Sequence, residues 1–81
     1  MTMTRQIQID VGELLSITVG RQIAFGEKVS RDSEASWDSL KHVELIFMLE
    51  ERFGMQFSEE EMTEMRSLAE IVRAIEEKRA A

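Results

Sequence analysis

The run Asp38-Ser39-Leu40-Lys41-His42-Val43-Glu44-Leu45-Ile46-Phe47-Met48-Leu49-Glu50-Glu51-Arg52-Phe53-Gly54 reads as one helix with both ends marked. Asp38 suits the N-cap, because its carboxylate can accept a first-turn amide and its charge matches the positive helix end. Ser39 then takes the first helical position, where hydroxyls are normally exposed, and Gly54 is a C-terminal stop. At 3.6 residues per turn the apolar residues cover more than one face. Leu45, Leu49 and Phe53 form one stripe with Ile46 beside it, and Leu40, Val43 and Phe47 form a second. Taken alone, so apolar a helix reads as core on both stripes. We assign the first to the core and the second to a rim that meets a partner or guest.

Upstream, Ile7, Ile9 and Val11 alternate with Gln8 and Asp10 as a strand would, while Met3, Ile7, Val11, Leu14 and Leu15 form a helical stripe. A lone strand has nothing to pair with, so a helix over about Thr4 to Ser16 is the better reading. Gly12 weighs against it, since glycine costs about 1 kcal/mol relative to alanine inside a helix. From Ile17 to Trp37 no period persists, and Gly20, Gly26, Ser30, Ser33 and Ser36 break the run. A loop of this length needs anchors, and Ile17, Val19, Ile23, Phe25 and Val29 are the candidates.

Downstream, Met55 and Phe57 are loop anchors. Ser58-Glu59-Glu60-Glu61 matches a capping box opening a short helix with Met62 and Met65 on its apolar face. Ser67-Leu68-Ala69-Glu70 is a second capping box, opening a helix to about Lys78 whose stripe is Leu68, Ile71, Val72 and Ile75. The sum is an all-α chain: a small antiparallel four-helix bundle of three longer helices and one short one, forming a single domain over residues 1–81. Its core should include Leu14, Leu15, Leu45, Leu49, Phe53, Leu68, Ile71 and Ile75. Six methionines suggest an adaptable interior.

Charge is unevenly placed. Residues 38–65 carry eight acids against two bases, whereas residues 1–37 carry five against four and residues 66–81 three against four. That acidic middle argues against nucleic acid as a partner and for a basic protein surface met by electrostatic steering. No stretch has the length of a membrane span and no leader pattern opens the chain, so a cytoplasmic monomer without membrane association is expected.

Ser39, His42 and Asp38 invite comparison with a hydrolase triad, but triad members normally come from separated segments and no Gly-x-Ser-x-Gly elbow is present. Asp32, Glu34, Ser36 and Asp38 begin like a calcium loop. Trp37 then stands where the turn needs glycine, and position twelve is Val43 rather than a glutamate. His42 has no second histidine or cysteine with which to hold zinc. No catalytic residue and no metal site are therefore assigned.

The run Asp38-Ser39-Leu40, Val43-Glu44-Leu45, Leu49-Glu50-Glu51 and Phe53-Gly54 resembles the acyl carrier protein family, including the peptidyl carriers, and the likeness spans roughly the whole chain. The resemblance implies that Ser39, beside Asp38, is covalently loaded with 4'-phosphopantetheine by a phosphopantetheinyl transferase using coenzyme A. It implies an acyl-carrier-like bundle with a long loop between its first two helices. It also implies partners that load and use acyl or aminoacyl thioesters, namely a ligase and a downstream acyltransferase or synthase. A chain without cysteine must import its sulfur, and the arm supplies one. The recognition surface implied is Leu40, Lys41, His42, Val43, Glu44, Phe47, Glu50 and Glu51. Trp37 before the motif and the pair Lys41-His42 after it depart from carriers of primary fatty-acid synthesis, which points to a specialised fatty-acid, polyketide or related pathway. The competing reading is a helical interaction module with no covalent modification.

Overall fold

The computed structural model describes residues 2–80, with side chains from Thr4 onward, so Met3 of the first apolar stripe lies outside the described side chains. Among the described residues the chain forms four helices: α1 (Thr2–Val19), α2 (Ser39–Phe53), α3 (Glu59–Glu64) and α4 (Leu68–Ala80). This is the small helical bundle expected, with α1 packed against both α2 and α4.

Helix α1 runs to Val19, three residues past the end near Ser16 that its pattern implies. Ser16 and Thr18 would ordinarily favour a turn, but here each hydroxyl donates to the carbonyl four residues back, Ser16 to Gly12 at 2.8 Å and Thr18 to Leu14 at 3.0 Å. Gly20 ends the helix at φ 79° while its N–H donates to the Ser16 carbonyl. Ile7, Val11, Leu14, Leu15 and Val19 fill the buried stripe, whereas Ile9 and Ile17 fall on the other side and are exposed. The strand-like alternation of Ile7, Ile9 and Val11 is thus divided between two faces of a helix.

The long loop from Gly20 to Asp38 is fastened by Ile23, Val29 and Trp37, all buried. Three of the expected anchors are not loop anchors: Ile17 and Val19 belong to α1, the first facing outward and the second buried, and Phe25 is exposed under the Arg5 guanidinium, 5.1 Å from its ring centre. Polar ties do the rest. Arg21 pairs with Glu27 at 2.7 Å and Glu34 at 2.6 Å, and Ser36 donates to the Val19 carbonyl. Near the start of α4 an isolated antiparallel bridge joins Ser30 to Ser67, with the Arg31 N–H on the Arg66 carbonyl and the Leu68 N–H on the Val29 carbonyl.

Of the expected core, Leu14, Leu15, Leu45, Leu49, Ile71 and Ile75 are buried. Phe53 and Leu68 are only partly buried, packed against the cluster from its edge. The capping box of α3 is complete, Ser58 and Glu61 exchanging both bonds. The box before α4 is half made. Ser67 accepts the Glu70 N–H, but the Glu70 carboxylate takes the Arg66 N–H and the Ser67 hydroxyl in place of the Ser67 N–H.

Candidate functional site

Ser39 is exposed at the first position of α2, and the chain on both sides of it is held. Asp38 is the N-cap, in extended conformation, with its carboxylate accepting the Lys41 N–H at 2.9 Å. One residue earlier, Trp37 is sunk into the core at 2% exposure. Three residues after Ser39, His42 is buried at 7%. The indole N–H donates to His42 Nδ1 at 3.0 Å, so the other ring nitrogen carries the proton and donates to the Met62 carbonyl at 2.8 Å. Burial holds the pKa of His42 below its ordinary value, and the nearby Arg31 and Arg66 charges act in the same direction. The serine therefore stands between two buried rings bonded to each other, with its own side chain outside.

This geometry corrects His42, expected on the partner surface. It lies three and four residues before Leu45 and Ile46 and shares their buried face, where both its nitrogens are bonded. Glu50 is also corrected in part: half-buried, its carboxylate accepts the Phe57 N–H at 2.9 Å and fastens the turn after α2. Leu40, Val43 and Phe47 form an exposed apolar stripe, at 67%, 49% and 65%. Glu44 and Glu51 stand exposed on the same helix, and half-buried Lys41 lies 3.9 Å from Glu44.

No triad forms, since His42 turns inward and Asp38 is bonded to backbone. The residues that opened like a calcium loop are engaged separately. Asp32 pairs with Arg66, Glu34 with Arg21, and Ser36 bonds Val19.

One residue near the serine was not legible in the sequence. Arg31 places its guanidinium 3.4 Å from the Trp37 carbonyl and 3.5 Å from Ser39 Oγ. These distances exceed those of ordinary hydrogen bonds. They describe a cation resting beside the hydroxyl, leaving the hydroxyl free to react. Nothing in the local sequence signals this, because Arg31 comes from an irregular loop and reaches Ser39 only through the fold.

Four helices with a solvent-facing serine at the start of the second define a small helical bundle that presents a hydroxyl at a helix tip. A family model described as the phosphopantetheine attachment site matches residues 34–75, from the end of the loop through α2 and α3 into α4. The chain belongs to that family, whose members hold 4'-phosphopantetheine covalently. No curated protein matches it.

Proposed function

We propose that Ser39 Oγ is the attachment atom and that the protein carries acyl or aminoacyl groups between the enzymes of a specialised fatty-acid, polyketide or related pathway. The observation that carries this reading is the exposed hydroxyl at the start of α2, capped by Asp38, inside the matched span. The site fits the group: no side chain covers Ser39, and the neighbouring cation suits a phosphate. In loading, the Ser39 oxygen bonds to phosphorus, its proton passes to a base of the transferase, and the adenosine 3',5'-bisphosphate half of coenzyme A leaves. Once attached, the arm supplies the thiol on which cargo is held as a thioester.

The chain's own contribution is presentation. Trp37 and His42 fix the backbone around Ser39, so the tether starts from a rigid point and holds its cargo at high effective concentration for each partner. The partner surface is Leu40, Lys41, Val43, Glu44, Phe47 and Glu51, an apolar stripe flanked mainly by carboxylates, which suits a basic docking site on the transferase, the loading ligase and the acyltransferase or synthase. With His42 buried, Lys41 alone supports a docking face unlike that of a housekeeping carrier. On this reading the domain presents its cargo and leaves the chemistry to its partner enzymes.

Intact mass after incubation with coenzyme A, magnesium and a broad-specificity phosphopantetheinyl transferase tests this. Wild type should gain one arm and Ser39→Ala none. A wild-type chain that stays bare would leave the interaction-module reading in its place.

A further inference from the structure

We infer that Arg31 is the resident counterion of the phosphodiester at Ser39, holding the root of the arm against the loop. The inference rests on Ser39 carrying the arm. Its geometry is that of a half-buried guanidinium on a fixed backbone. The Arg31 N–H is bonded to the Arg66 carbonyl at 2.9 Å beside the Ser30–Ser67 bridge, and its side chain spans from the Trp37 carbonyl to Ser39 Oγ.

Its charge is also uncommitted. Among the described residues Arg21, Arg52, Arg66 and Lys78 each have a carboxylate within 3.4 Å, whereas Arg31, like Arg5, Lys28, Arg73 and Arg79, has none within ion-pair distance, and of these Arg31 is the one that reaches Ser39. A neutral hydroxyl at 3.5 Å gives a guanidinium little reason to stay. A phosphodiester on that oxygen changes the balance. Its phosphorus lies one atom beyond Oγ and its non-bridging oxygens two, which brings acceptors to the side of the guanidinium already beside Oγ, and arginine binds phosphate oxygens in pairs. The new anion would otherwise sit next to Asp38 in sequence, on a chain of net charge −6. Arg31 offsets that repulsion where it arises.

The test uses the whole chain as wild type, Arg31→Ala and Arg31→Lys, each loaded enzymatically and checked by intact mass. Two readouts follow: the phosphorus NMR resonance of the loaded protein across a salt titration, and water exchange of the Arg31 Nη–H protons, the ones that face Ser39 Oγ, in the bare and loaded wild type. Loading should slow that exchange about five-fold, the protection given by a net contribution of one ordinary hydrogen bond. The wild-type phosphorus resonance should differ from that of Arg31→Ala at low salt and converge on it as salt screens the pair. Arg31→Lys should fall between, keeping the charge without the fork. Coincident phosphorus resonances with unchanged exchange, in protein fully loaded by mass, would overturn the role of Arg31 and leave the carrier reading intact. A wild type that gains no arm would overturn both. The exchange measurement needs only wild type, and Arg31→Lys gives the resonance a second comparison, so an unstable alanine variant does not block the decision.

Discussion

His42 accepts from Trp37 and donates to Met62, so protonating its free nitrogen sets a second N–H against the indole N–H. The unfolded chain feels no such conflict and titrates near the ordinary value of about 6.5. The depressed folded-state pKa therefore contributes stability that is fully present above pH 6.5 and lost as pH falls through the folded value. Acid titration of the carboxylates overlaps this window, and His42→Gln isolates the histidine share. Urea melts from pH 7.5 downward should show wild type losing stability faster than His42→Gln just below pH 6.5; parallel curves would remove His42 from the acid response. Trp37→Phe deletes the donor and leaves the buried Nδ1 unpaired, which should cost about 1–3 kcal/mol at pH 7.5 by the same melts. Had the stripe through Leu45 and Ile46 been extended back one turn, the sequence would have placed His42 inside. Its hydrogen-bond partners, thirty-seven and sixty-two in the chain, come from two other segments and could not be read that way.

Helix ends and interiors separate clearly at two glycines. Gly12 sits inside α1 and Gly54 caps α2 at φ 63°, and a Cβ added at either would meet no atom within 4 Å. Backbone conformation alone then decides the sign of substitution. Gly12→Ala should stabilise the protein by about 0.5–1 kcal/mol, since alanine loses less freedom in a helix. Gly54→Ala should destabilise it by roughly 1–2 kcal/mol, the cost of a left-handed alanine. Thermal melts of the two variants should move in opposite directions. Helix α3 depends on other forces. Its six residues are too few to persist alone and none is buried. Its capping box, the Lys78–Glu61 pair at 2.9 Å and the His42 bond to Met62 hold it in place, and only the first of these was visible in the sequence.

Across the molecule, the buried and the offered surfaces of α2 are distinct. Leu45, Ile46 and Leu49 go to the core while Leu40, Val43 and Phe47 stay outside. Phe47→Ser should leave the unfolding free energy within about 0.5 kcal/mol of wild type, as for other exposed positions. If the stripe is the docking face, the same change should slow loading by the transferase, measured by mass against time. A loss of stability with unchanged loading would return Phe47 to the core and dismiss the stripe as a partner surface. The acidic bias of the middle third adds a second condition, because loading should weaken as salt rises.

Periodicity and capping chemistry are local properties, so the helices, the cap at Asp38, the stop at Gly54 and the exposure of Ser39 followed from residues a few positions apart. The burial of Trp37 and the approach of Arg31 to Ser39 join segments that share no local pattern. They arise when an irregular loop folds back onto the bundle, because contacts between distant segments depend on how those segments pack and carry no signature in the spacing of either one.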